Sequence, residues 1–177
     1  MGMAHIRAFH ERDLTPCEAL LAASIRLEVA NFHWVPPGRE ALEADWRQLC
    51  ADYPWLSLEL DGRWAGFAAA YPYKPRAAYR WTAETGIYLE AWARGRGYGR
   101  DLYQALLESL TAKGYRSVVA GIALPGAASS ALHAALGFRR VGVLREVGWK
   151  QGEWRDVALW QRSLSKRAES NQDLDPS

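Results

Sequence analysis

Leu56, Leu58 and Leu60 alternate with Ser57 and Glu59, the period of a strand with one apolar face. Asp61-Gly62 follows as a hairpin turn signal, and Trp64 to Tyr71 runs back as its partner strand. Ahead of this hairpin, Ile6-Arg7-Ala8-Phe9 predicts a short first strand. After Glu11-Arg12-Asp13-Leu14 the period changes. Leu20, Leu21, Ile25 and Val29 fall at helical spacing, and Pro36-Pro37-Gly38 ends the segment. Ala41, Leu42, Trp46 and Leu49 share one face of a second helix over Glu40 to Cys50. Pro72 and Pro75 predict a loop, and Thr85 to Leu89 a strand. A helix over about Arg100 to Lys113 closes at Gly114, a good C-cap. Ser117 to Ala123 predicts a strand, and Ala127 to Leu136 a helix closed by Gly137. Phe138 to Ser163 reads as two strands joined near Lys150-Gln151-Gly152-Glu153. The order β-α-α-β-β-β-α-β-α-β-β predicts an α/β chain with one mixed sheet flanked by helices. No linker divides it and no segment repeats. A single domain is expected over residues 1–164, followed by a polar tail, 165–177, expected to be disordered.

Composition narrows the classes. The 177 residues, 49% of them hydrophobic, suffice for one domain with a sizeable core. A net charge of +2 gives no electrostatic case for nucleic acid. Nine tryptophans are many for this length; core packing is their default place, a pocket or subunit interface the alternative. Cys17 and Cys50 are too few and too far apart for a metal site or a disulfide framework, so no metal is expected. Met1 to Arg7 lacks the apolar stretch of a signal peptide, and no apolar run reaches membrane-spanning length. A reducing cytoplasm is the expected compartment.

The chemistry concentrates at Arg94-Gly95-Arg96-Gly97-Tyr98-Gly99-Arg100. An apolar strand precedes it and a helix follows. Glycines let backbone approach a ligand, and amides at a helix N-terminus point at phosphate oxygens. A nucleotide P-loop would end in Gly-Lys-Ser/Thr, and Gly99 is followed by Arg100-Asp101. A dinucleotide fingerprint belongs early in a βαβ unit, and these glycines stand at mid-chain. A plain glycine-rich turn remains open. The fourth reading, Arg-Gly-x-Gly-x-Gly, resembles the coenzyme A pyrophosphate loop of the GNAT superfamily of N-acetyltransferases.

Further segments extend the resemblance to that superfamily's phosphinothricin N-acetyltransferase branch. Lys74-Pro75-Arg76-Ala77-Ala78-Tyr79-Arg80-Trp81-Thr82-Ala83-Glu84 is similar to its Lys-x-Arg-x-Ala-Tyr-x-x-Thr-x-Glu segment. Ile87-Tyr88-Leu89 resembles its Val-Tyr-Val strand, and Leu132-His133-Ala134-Ala135-Leu136-Gly137-Phe138 its Met-His-Glu-x-Leu-Gly-Tyr/Phe helix end. Gly148 to Asp156 resembles its Gly-x-Lys-x-Gly-x-Trp-x-Asp hairpin; Asn31-Phe32 and Tyr53-Pro54-Trp55-Leu56 match as well. Order and spacing hold from about Ile6 to Leu164. The resemblance implies the acyl-CoA N-acyltransferase fold, acetyl-CoA as donor, and direct acetyl transfer to the α-amine of a small amino acid such as phosphinothricin or methionine sulfoximine or sulfone. It also implies a homodimer.

The resemblance assigns roles residue by residue. Glu84 would act as general base, removing the ammonium proton through water; an exposed carboxylate entering a strand is the competing reading. Ile87, Tyr88 and Leu89 would bind the pantetheine through backbone, with the Leu89 amide donating to the thioester carbonyl. Arg94 to Arg100 would hold the pyrophosphate through backbone amides, with Arg94 and Arg96 also available to the 3′-phosphate or to solvent. His133 stands where many relatives carry a Tyr that protonates the leaving thiolate; a buried histidine satisfied by a neighbour is the alternative. Arg80, with Arg76, would hold the acceptor's carboxylate or phosphinate. Tyr79 and Phe32 would shape the acceptor pocket. Lys150 and Trp154 belong to the hairpin near the implied dimer interface.

Three positions depart from the branch's pattern. Gly126 replaces an Asn that binds the CoA arm, so it would serve the cofactor by backbone alone. Ala134 replaces a Glu, and His33-Trp34 a smaller polar pair beside the acceptor pocket. The acceptor is therefore the open question. A protein amine or polyamine is the rival acceptor, and a non-enzymatic acyl-CoA sensor the rival function.

Overall fold

The computed structural model describes residues 3–164, and the tail expected to be disordered lies outside the described residues. The elements run β1 (Ala4–Ala8), α1 (Leu14–Leu27), α2 (Arg39–Leu49), β2 (Trp55–Leu60), β3 (Arg63–Pro72), β4 (Thr82–Leu89), α3 (Tyr98–Ala112), β5 (Ser117–Ala123), α4 (Ala127–Ala135), β6 (Arg139–Lys150) and β7 (Glu153–Ser163). This is the element order read from the periodicity. Three boundaries move. A one-turn 3-10 helix, Glu11–Asp13, precedes α1, which stops before Val29. Strand β4 begins at Thr82, and α3 at Tyr98, inside the glycine stretch.

The strands form one seven-stranded sheet in the order β1-β2-β3-β4-β5-β7-β6. Only β4 and β5 pair in parallel; every other neighbouring pair is antiparallel. Strand β3 shows how both faces are filled. Ala68 and Ala70 turn to α3, whose Leu102, Tyr103, Leu106 and Leu110 are buried at helical spacing. Phe67 and Ala69 turn the other way, to Leu14, Cys17 and Leu21 of α1 and Leu42 of α2. Alanines on a central strand let the helices approach closely, and each buried leucine contributes about 1.5–3 kcal/mol.

A buried ion cluster fastens β1 to the start of α1. Arg7 meets Asp13 with two nitrogens, at 2.6 and 2.8 Å, and also bonds Glu59. Burial pushes the Asp13 carboxyl up, but Arg7, the His10 amide and the Ser57 hydroxyl together hold it below its ordinary value. On the far side, β6 is an edge strand exposing Val141, Val147 and Trp149.

Candidate active site

The site begins where the sheet comes apart. Strands β4 and β5 pair only from Thr82–Glu84 to Ser117–Val119, and both continue beyond that point. The rest of β4 keeps β3 on one side and, among the described residues, has no strand on the other. Two bonds fix which amides face the gap. The Glu90 amide donates to Ala65 of β3 (2.9 Å), whereas the Trp81 carbonyl turns to Ser117 at the head of β5 (3.4 Å). Strand alternation then aims the backbone of Thr85, Ile87 and Leu89 into the gap and that of Tyr88 at β3. Tyr88 offers its ring, stacked on Phe67 at 5.2 Å. From Glu84 to Leu89 the open edge runs roughly 17 Å, a span that an extended pantetheine arm covers.

A cleft of about 640 Å³ opens at the base of this gap. Thr85, Gly86 and Tyr88 of β4 and Gly121 and Ala123 of β5 form its floor; Asn31, Phe32 and His33, from the strap joining α1 to α2, form a wall. Glu84 stands in it, paired across the sheet with Tyr71, another lining residue. Its carboxylate reaches solvent, yet the surrounding walls raise its pKa above the ordinary value, while the Lys74 ammonium pulls the other way. Asn31 is only 4% exposed; its Oδ1 accepts the His33 amide at 3.1 Å, and its Nδ2 has no partner among the described residues.

His133 is 4% exposed and does not line the cleft. Its Nδ1 lies 2.7 Å from the Ser129 carbonyl, which requires a donor, so Nε2 is the acceptor for the Tyr103 hydroxyl at 3.1 Å. Tyr103 in turn meets the Thr85 hydroxyl at 2.7 Å. A buried chain Thr85–Tyr103–His133 therefore runs from the cleft floor under α4. Burial keeps the imidazole pKa below its ordinary value, against the pull of Ser129.

At the far end of the open edge, Gly95 and Gly97 adopt φ of +72° and +88°, and Gly97 caps α3. A side chain would strain both positions. The Arg100 amide is already bonded to the Gly97 carbonyl (2.9 Å), while the amides before it precede any helical partner. Gly99 leans on β4, where a Cβ would meet Leu89 at 3.2 Å. Arg96 lies over the Tyr98 ring at 5.3 Å. Arg94 is committed elsewhere: its Nε donates to the Leu89 carbonyl (2.9 Å) and its Nη1 to Glu28 beyond α1 (2.6 Å). That pairing occupies Nε and Nη1 of the guanidinium.

Gly126 caps α4 against the end of β5, after a cis Leu124–Pro125 bond. A Cβ there would stand 2.5 Å from Ile122 Cγ2 and 2.7 Å from the Ala123 oxygen. The absent Asn is thus a matter of space.

The acceptor arginines are not gathered as expected. Arg80 caps the 3-10 turn Ala77–Tyr79, over the Trp81 ring at 5.3 Å, and lines a separate recess with Asp52, Tyr53 and Lys113. It lies four residues before Glu84, roughly 13 Å along an extended chain. Arg76 and Tyr79 belong to the same turn, Tyr79 meeting Tyr73 edge-on at 5.6 Å, and neither lines the cleft. The cation whose field reaches Glu84 is Lys74. Lys74 and Asn31 both lie within the matched motifs, but proximity to an acid and an unmet buried donor are visible only in three dimensions.

The acetyltransferase (GNAT) family model matches residues 22–138. The phosphinothricin N-acetyltransferase of Streptomyces viridochromogenes is 43% identical over 79% of this chain and 76% of its own. The L-methionine sulfoximine/L-methionine sulfone acetyltransferase of Pseudomonas aeruginosa is 37% identical over 63% of this chain and 66% of its own. A crystal structure of a phosphinothricin acetyltransferase from Sinorhizobium meliloti in complex with acetyl-CoA superposes with a TM-score of 0.88, at 32% identity and over 96% of either chain.

Proposed function

Because the chain belongs to the GNAT family of acetyltransferases and is an acetyl-CoA-dependent N-acetyltransferase, we propose that its acceptor is the α-amine of a small amino acid of the phosphinothricin or methionine sulfoximine type, with Glu84 as the base. The observation that carries this reading is the placement of Glu84: a carboxylate of raised basicity, in a half-open cleft, at the base of an open strand edge.

The residues fit the donor. Amides of Ile87 and Leu89 face the gap in which a pantetheine arm would complete the sheet. The unpaired amides from Gly95 to Gly99 form an anion cradle for the pyrophosphate, with Arg96 and Arg100 supplying charge. Bound there, acetyl-CoA supplies a thioester carbonyl at which a C–N bond forms as the C–S bond breaks. An ammonium must first lose its proton, and Glu84 takes it, directly or through one water. The Leu89 amide, fixed at the strand edge, donates to the oxygen on which charge develops. Asn31 Nδ2 donates to an acceptor oxygen and Phe32 covers its carbon chain, while Lys74, outside the cleft lining and over the Tyr73 ring at 5.2 Å, contributes only its field. The preference for an amino acid over a polyamine rests on the relatives, since the cleft itself is lined by the carboxylates of Glu84 and Asp45 and by no Lys or Arg. His133, buried and neutral, acts through Tyr103 and Thr85 in shaping the cleft floor.

The exposed apolar face of the β6–β7 hairpin, with Trp149 of β6 and Trp154 of β7 paired edge-on at 5.3 Å and 44% and 59% exposed, supports a homodimer. The test of function is CoA-thiol release with phosphinothricin, methionine sulfoximine, methionine sulfone, common amino acids, polyamines and a lysine peptide. Turnover with the amino-acid analogues and its loss in Glu84→Gln are expected; turnover with polyamine or peptide alone rejects the reading.

A further inference from the structure

We propose that the β6–β7 hairpin sets acceptor selectivity: Gly148 and Lys150 are positioning residues that hold Phe32 and its strap against the cleft. This rests on the reading of the cleft as an acceptor site, and concerns residues that do not themselves line it.

The first observation is a ring lying where a side chain would be. A Cβ on Gly148 would stand 2.3 Å from Phe32 Cε2 and 2.7 Å from Cδ2. The φ of Gly148 is outside the left-handed region, so backbone freedom does not explain the glycine; space does. Phe32 lines the cleft, so the slot over Gly148 decides how far its ring withdraws.

The second observation is a buried cation. Lys150, 7% exposed, donates its Nζ to the Ile25 carbonyl in the last turn of α1 (2.7 Å) and to the His33 carbonyl (2.9 Å). The Ile25 carbonyl is among those a helix end leaves without a partner, and the negative end of the helix dipole favours the ammonium. The two acceptors bracket Asn31 and Phe32, so one ammonium fixes both ends of the segment that walls the cleft.

The third is how the hairpin is aimed. The β6 register shifts between Leu144 and Gly148, where Glu146 adopts a φ of +48°. Asp156 pins this irregularity by accepting the Glu146 amide at 2.9 Å and Arg145. Such bulges bend a strand, and the residues just beyond this one are those that meet the strap.

The experiment uses the full-length enzyme with phosphinothricin and methionine sulfoximine as acceptors. Gly148→Ala drives the ring into the cleft. Acceptor KM should rise about tenfold, the scale of an overpacked contact, while acetyl-CoA KM stays unchanged. In a Phe32→Leu background, which shortens the obstructing ring and has its own acceptor KM as reference, Gly148→Ala should raise acceptor KM by much less than tenfold. Lys150→Met should raise acceptor KM and speed amide hydrogen exchange across residues 28–34. An unchanged acceptor KM in Gly148→Ala, equal losses for donor and acceptor, or a rise just as large in the Phe32→Leu background overturns the hairpin's role. Unchanged strap exchange in Lys150→Met overturns the clamp. If the wild-type enzyme turns over neither acceptor, the acceptor reading itself falls, and the exchange experiment still decides whether the clamp exists.

Discussion

Gly126→Asn restores the residue that the phosphinothricin branch carries after Leu-Pro, and the geometry predicts that it harms the enzyme. Any Cβ at this site would be 2.5 Å from Ile122 Cγ2 and 2.7 Å from the Ala123 carbonyl oxygen. The first neighbour is a side chain that can turn; the second is backbone at the end of β5. Overpacking of this kind costs about 1–3 kcal/mol. For a chain of 177 residues that corresponds to a fall in Tm of roughly 2–12 °C. Gly126→Ala isolates the Cβ and should show most of the loss. Ile122→Ala removes the side-chain half of the clash but costs about 2–5 kcal/mol as a core truncation, so with Gly126→Asn the combined loss should be smaller than the sum of the two, and not by the whole of the clash because the carbonyl stays. The assays are thermal unfolding and acetyl-CoA KM measured on the same preparations. An Asn variant of unchanged Tm that binds acetyl-CoA more tightly would refute the spatial account of this glycine.

Three further outcomes are expected. Lys74→Met removes the ammonium that lowers the Glu84 pKa; because the base works ionised, the acid limb of kcat/KM should move to higher pH, and a limb that stays put rejects the pairing. The His133 pKa is depressed by burial, so its stabilising effect is complete above the unfolded value of about 6.5 and lost as pH falls through the folded one. Urea denaturation should show this decline below neutrality, and His133→Gln should flatten it; an equally steep slope in the variant assigns the decline to other groups. Trp154→Glu places a charge on the exposed face of the β6–β7 hairpin and should shift sedimentation toward the monomer, whereas an unchanged mass locates any dimer contact elsewhere.

The fold was legible because each element announces itself locally. Alternation at Leu56–Leu60 and helical spacing at Leu102, Leu106 and Leu110 are one-dimensional records of which face is buried. Glycine turns at positions 62, 114, 137 and 152 adopt the positive φ their sequence contexts imply. The glycine cradle and Glu84 were legible too, since each lies within one continuous motif. What escaped was pairing between distant segments. Arg94 finds Glu28 across 66 residues, and nothing in either neighbourhood advertises the other. Arg80 carries the right charge in the right motif, but its turn directs it to Trp81 and a second recess. The phase of β4, which separates Ile87 and Leu89 from Tyr88 as backbone donors, depends on where β3 and β5 dock.

The parting of β4 from β5 has a mechanical consequence. Three residue pairs are all that join the strands β1–β4 to the block β5–β7–β6 within the sheet. The contact of Gly148 and Lys150 with the strap is a second suture, bridging the same two bodies at the cleft. Donor chemistry belongs almost wholly to the first body and to α3, which packs on it. The acceptor wall is held from the second. A small rotation of one body against the other would therefore reshape what the enzyme acetylates and leave intact how it acetylates. On the proposed reading, the acceptor can drift among amino-acid analogues through changes in a hairpin remote from the proposed base, Glu84.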